Sequence, residues 1–131
     1  KSSRLLDFQP FFIVIEGDGM TFGAYLRNLR ESRNLRQADL ATDIGVSTVY
    51  VCDIERDRRY PPDIQKLRVW VTRMSLSPEE TAKFYDLVGE ARDSIPPDIL
   101  EYLVQNPSAK SAIRRIIEQG RKYNWDMLAQ K

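Results

Sequence analysis

The chain has 131 residues, 42% hydrophobic and 30% charged, with a formal net charge of +1, the proportions of a soluble globular domain. One cysteine (Cys52) and no histidine exclude an internal disulfide, a Cys/His zinc site and general-base catalysis by histidine. The longest apolar run, Phe11 to Ile15, is far below the roughly 18 residues of a membrane span and the 7 to 15 of a signal-peptide core, so a reducing, cytoplasmic setting without a membrane partner is expected.

Residues 1–19 stand apart from the rest. Phe11-Phe-Ile-Val-Ile15 reads as a short strand and Gly17-Asp-Gly19 as a break. Two readings are open. Either Met20 is a native start and the preceding residues are a leader, or the segment is a β-arm that needs a partner's strand edge to satisfy its backbone.

From Thr21 onward the pattern predicts helices only. Thr21 caps the first, with Phe22, Leu26 and Leu29 along one face, ending near Ser32 or Arg33. The second covers about Gln37 to Ile44, with Leu40, Ala41 and Ile44 inward, and closes at Gly45. Ser47 caps the third, about Thr48 to Arg56, with Val51 and Ile54 inward. After Pro61-Pro62, Asp63 caps a fourth carrying Ile64, Leu67, Val71 and Met74, with Trp70 beside the stripe. Ser77-Pro-Glu-Glu80 is a capping box with proline at the first helical position, opening a fifth helix whose stripe is Phe84, Leu87, Val88 and Ala91.

Ile95-Pro-Pro-Asp98 marks a second break. A short helix is expected over about Asp98 to Val104. Asn106-Pro107 starts another, with Ala109, Ala112, Ile113, Ile116 and Ile117 and an end near Gly120; Tyr123, Trp125 and Leu128 lie in a last short one. The expected organisation is therefore all-α: an N-terminal arm or leader (1–19), a five-helix domain (20–94) and a C-terminal helical extension (95–131).

The stretch from Leu35 to Glu55 carries the functional signal. Two short helices flank a turn at Gly45, and small Ala41 lets them cross closely, which is the helix-turn-helix pattern. The second leaves Thr48, Val49, Tyr50 and Asp53 facing out, and such a helix fits the major groove of B-DNA. From residue 21 to 72 there are nine Arg or Lys against seven Asp or Glu, a net of +2, too weak an asymmetry to identify a partner alone.

At these residues the chain resembles the XRE family, the Cro and phage-repressor type of helix-turn-helix regulator. The resemblance rests on Gln37, Leu40, Ala41, Gly45-Val46-Ser47, Tyr50, Ile54-Glu55 and the arginine-rich loop before Pro61-Pro62, and covers about Thr21 to Met74. It implies a lambda-repressor-like fold and a sequence-specific transcriptional regulator, a repressor or autoregulator, bound to double-stranded DNA. Thr48, Val49, Tyr50 and Asp53 would lie at base-reading positions. Gln37 and Ser47 would meet phosphates, and Arg56, Arg58 and Arg59 would grip the backbone. Arg30 would pair with Glu55.

Two departures stand out. The family often has Asn-Gly after the glutamate, where this chain has Arg56-Asp57; aspartate adopts the left-handed conformation less readily than glycine. Asp53 is acidic at a base-reading position, able to accept from cytosine N4 or to repel phosphate. With no Arg, Gln or Asn between Thr48 and Asp53, specificity is expected to lean on thymine-methyl contacts by Val49 or Thr48 and on DNA shape.

Blander readings stand beside these. The loop Arg56-Asp-Arg-Arg59 is in isolation an ordinary solvated charge run, and Tyr50 fits core packing as well as DNA contact. Glu79 and Glu80 serve the helix dipole. Trp70, Phe84, Tyr123 and Trp125 fit core or interface positions. With no P-loop, dinucleotide turn, metal cluster or catalytic constellation, neither a cofactor nor enzymatic activity is expected. The apolar residues of 95–131 point to a homodimer interface. Rival readings are an antitoxin whose C-terminal helices bind a toxin, and an adaptor that keeps the fold without binding DNA.

Overall fold

The computed structural model describes residues 19–120 and 124–129. Among them are eight helices and no strand: α1 Phe22–Ser32, α2 Gln37–Ile44, α3 Thr48–Glu55, α4 Ile64–Arg73, α5 Pro78–Ala91, α6 Pro97–Gln105, α7 Pro107–Glu118 and α8 Trp125–Ala129. The strand expected at Phe11 to Ile15, and Tyr123, lie outside the described residues.

The helix starts follow from side-chain chemistry. The N–H groups of Ala24, Tyr50, Lys66 and Glu80 donate to the capping oxygens of Thr21, Ser47, Asp63 and Ser77 at 3.0 to 3.1 Å. Each bond satisfies a first-turn donor that has no partner inside its helix. The box at Ser77 is closed by Glu80, whose carboxylate accepts from the Ser77 N–H at 3.0 Å. At α2 the Asp39 carboxylate does the same for Arg36 N–H at 2.8 Å.

The helix ends share one device. After each of α1 to α5 the chain passes through a left-handed residue, in turn Asn34, Gly45, Asp57, Ser75 and Asp93. The following N–H then reaches back five residues: Leu35 to Arg30, Val46 to Ala41, Arg58 to Asp53, Leu76 to Val71 and Ser94 to Gly89. These bonds satisfy carbonyls that each helix leaves open. Only Gly45 adopts this conformation without a steric cost.

The chain divides into two compact units, residues up to Asp98 and from Ile99 onward. In the first, α2 packs on α3 and α4, and α1 packs on α3 and α5. Its core contains Leu26, Leu40, Val51, Ile54, Leu67, Trp70, Phe84 and Val88, all essentially inaccessible to solvent. Trp70 sits inside this core, and its indole N–H donates to the Leu40 carbonyl at 3.0 Å, tying α4 to α2. Phe22 meets Phe84 edge-on, with ring centroids 5.1 Å apart. Arg33 joins the end of α1 to the α4–α5 corner through the Met74 carbonyl (2.6 Å) and the Glu80 carboxylate (2.9 Å). The stripe expected on α5 needs one correction: Ala91 is exposed and Tyr85 is buried, because the helix turns a wider aromatic face to the core.

In the second unit α7 and α8 have no buried residue, and Ile99, Val104, Ile117, Met127 and Leu128 are exposed. The Asn106 side-chain amide donates to the Tyr102 carbonyl at 2.7 Å, at the joint between α6 and α7.

Candidate nucleic-acid interface

An eight-residue helix is about 12 Å long, and α3 divides sharply along its faces. Val51, Ile54 and Glu55 are buried, whereas Thr48 and Val49 are exposed, Val49 by 67%. Tyr50, Cys52 and Asp53 are half-buried. The exposed Val49 side chain adds nothing to the core, so its apolar surface is open to solvent.

Ser47 is exposed, and its oxygen caps Tyr50 N–H, which leaves the hydroxyl proton to donate outward. Tyr50 packs its inner edge against the core. The Arg59 guanidinium lies 4.6 Å from its ring centroid, a cation–π contact that holds a long basic side chain beside α3. Tyr50 therefore packs partly against the core, and its ring also carries an arginine. Arg56 and Arg58 are exposed. Asp53 contributes its carbonyl to the Arg58 N–H at 2.8 Å, so the loop leaves the helix in a defined direction.

Arg30 and Glu55 face each other in the interior. Arg30 Nε and Nη2 donate to the two Glu55 oxygens at 2.6 and 3.0 Å, and Nη1 donates to the Leu35 carbonyl at 2.9 Å. The paired bonds to Glu55 are the main reason the Arg30 pKa lies above its ordinary value. Gln37 completes the cluster, its side-chain N–H donating to Glu55 Oε1 at 2.9 Å. One carboxylate therefore fixes α1, the α1–α2 loop and the first residue of α2 against the end of α3. That bond uses one of the two N–H groups of the Gln37 amide.

Asp57 stood in the sequence only as a departure from the family pattern, and Gly23 and Arg92 went unread. The Asp57 carboxylate turns back to the start of α1, accepting from Thr21 Oγ1 at 2.8 Å and from Gly23 N–H at 3.1 Å. Gly23 permits that approach: a Cβ there would lie 2.4 Å from the Ile54 carbonyl oxygen and 2.7 Å from Asp57 Oδ1. A glycine inside an otherwise regular helix was the available signal. Arg92, at the end of α5, donates to the Pro62 carbonyl, fixing the far end of the same loop.

The arrangement offers a capped, exposed helix edge bordered by guanidinium groups on an anchored loop, the chemistry of base contact plus phosphate contact. The model of the helix-turn-helix domain family matches residues 21–93. This chain belongs to that family. The helix-turn-helix chain is similar to the HTH-type transcriptional regulator PrpR of Mycobacterium tuberculosis, 32% identical over 100 residues that make up 75% of this chain and 20% of the relative. It is also similar to the ImmF control region 10 kDa protein of Bacillus phage phi105, 36% identical over 44 residues, 34% of this chain and 49% of the relative. The chain thus spans about a fifth and about half of the lengths of these curated relatives. No solved structure matches it. Among the described residues no helix is long and apolar enough to cross a membrane, and no group of metal-binding side chains is present.

Proposed function

We propose that this chain is a sequence-specific DNA-binding transcriptional regulator of the repressor or autoregulator type, which inserts the N-terminal turn of α3 into the major groove. The observation that carries the reading is the exposed Thr48–Val49 edge next to the Arg56–Arg59 loop. Val49 offers an apolar surface to thymine methyl groups, and Thr48 a hydroxyl to base edges. Ser47, Gln37, Arg56, Arg58 and Arg59 contact phosphates, and Tyr50 and Asp53 line the inner margin of the readout. Support comes from membership of the helix-turn-helix family and from the likeness to a transcriptional regulator and to a phage control-region protein.

The exposed apolar side chains of residues 99–129, Ile113, Ile117, Trp125 and Leu128 among them, favour self-association. A two-fold dimer would present two α3 helices about 34 Å apart to a symmetric operator. On this reading residues 20–94 are the DNA-binding domain and 95–131 the dimerisation element.

Salt titration of duplex binding tests the proposal. Affinity is expected to fall steeply with salt. Replacing Arg58 and Arg59 together by alanine should weaken binding to every sequence and lower the slope of log K against log [salt] by about 2. Undetectable binding at low salt would sink the reading and favour the adaptor. A stoichiometric small protein partner that displaces no DNA would favour the antitoxin.

A further inference from the structure

We propose that Asp57, an acid within an otherwise basic loop, is a positioning residue that locks the arginine loop into the shape that grips DNA. This rests on the reading of residues 56–59 as a backbone clamp. Placed by charge alone, an aspartate between Arg56 and Arg58 should weaken a phosphate contact. The geometry gives it a different task.

Asp57 has φ of +59°, a left-handed conformation that aspartate adopts less readily than glycine. The carboxylate meets the first turn of α1, where Gly23 N–H and Thr21 Oγ1 donate to its two oxygens. A carboxylate at a helix N-terminus is favoured by the open N–H groups and the dipole. The Thr21 hydroxyl works in series: it donates to Asp57 and accepts from Ala24 N–H at 3.1 Å. Asp57 thereby orients the cap of α1 while α1 holds the loop. Gly23 lets the two backbones meet, since any Cβ would collide with the Ile54 and Glu55 carbonyls. The carboxylate is bonded to the first turn of α1 at the protein surface, where Asp57 and the flanking arginines are all exposed.

Three side chains at residue 57 separate positioning from charge. Asp57→Asn keeps the left-handed preference and an acceptor oxygen but loses the charge. Asp57→Gly keeps only the conformation. Both raise net charge equally, so simple repulsion predicts equal gains in affinity with a slightly steeper salt slope. Positioning predicts that Asp57→Gly binds duplex about threefold or more weakly than Asp57→Asn at the same salt, with the same slope.

Glycine also loosens the backbone, so a double-mutant cycle with Thr21→Val isolates the contact. Thr21→Val should cost more affinity in the wild-type background than in the Asp57→Gly background, because the lost cap of Ala24 is common to both. Backbone 15N relaxation of residues 56–59 in free protein supplies a readout independent of DNA, with order expected in wild type and Asp57→Asn and lost in Asp57→Gly. Equal affinities for the Asn and Gly variants, or an additive cycle, overturn the proposal. Loss of loop order in Asp57→Gly, with no variant binding DNA, upholds the anchoring of the loop and overturns the clamp reading instead.

Discussion

Replacing Glu55 by alanine should destabilise the first unit more than any surface charge change. The Glu55 side chain is 3% exposed and that of Arg30 11%. The carboxylate accepts three hydrogen bonds, two from Arg30 and one from Gln37. Its removal leaves an interior guanidinium without its counter-charge and an amide without its acceptor. Breaking such a pair from one side costs about 3 to 5 kcal/mol, against a total stability of roughly 5 to 15. For a domain of this size the melting temperature should fall by at least about 12 °C. Glu55→Gln keeps one acceptor and should lose less. Replacing both partners, Arg30→Met with Glu55→Leu, should recover most of the loss, because no unpaired charge stays behind. Urea denaturation of the four proteins measures these values. A loss below about 1 kcal/mol for Glu55→Ala, the range of exposed pairs, would refute the claim that this cluster fixes α3.

Gly23→Ala should destabilise strongly, despite alanine's better helix propensity, because its Cβ would lie 2.4 Å from the Ile54 carbonyl oxygen; thermal melting decides, and a neutral or stabilising result would show that α1 and α3 can separate freely. Stability should fall as the pH is lowered from about 4.5 to about 2. Asp39 is held down to about 2 from 3.8 by its hydrogen bonds with Arg36. Backbone N–H donors, Ser77 for Glu80 and Lys66 for Asp63, hold those carboxyls below 4.5 and 3.8. Depressed carboxyls contribute fully above their unfolded values, and the contribution is lost as pH falls toward the folded ones. Asp86 runs the other way, raised from 3.8 by burial and by Asp98, so acidification relieves its cost; a chevron or melt series across pH 2 to 6 checks the net direction. Val49→Ala should reduce preference for operators with thymine at the contacted position by about 1 kcal/mol or less, with unchanged stability at this exposed site; an unaltered preference in a binding-site selection would place readout elsewhere.

The helix starts were legible because capping is local. Thr21, Ser47, Asp63 and Ser77 each lie three residues before the N–H they accept from, so one window of sequence contains both partners. The ends were less visible. Among α1 to α5 glycine announced only the end of α2, whereas Asn34, Asp57, Ser75 and Asp93 take the same conformation because tertiary packing and the five-residue back-bond offset their strain. On α5 periodicity placed Phe84, Leu87 and Val88 inside, where they lie, but it also placed Ala91 there, which is exposed, and it missed Tyr85, which is buried. At the site, family-like residues pointed to Arg30 and Glu55, and the structure brings them within hydrogen-bond distance. Asp57 read only as a departure from glycine, since its partners lie 34 and 36 residues away and no local rule reaches that far. Ile113 and Ile117 of α7 stay exposed in the single chain, an outcome that amphipathic spacing alone does not distinguish from intramolecular packing.

Backbone amide shifts during titration with a duplex carrying a selected operator test the recognition surface most directly. The account predicts that the large changes fall on Gln37, Ser47 to Asp53 and Arg56 to Arg59, and that the inward-facing residues of α5 stay still. Changes confined to residues 99–129, or none at any salt, would contradict it.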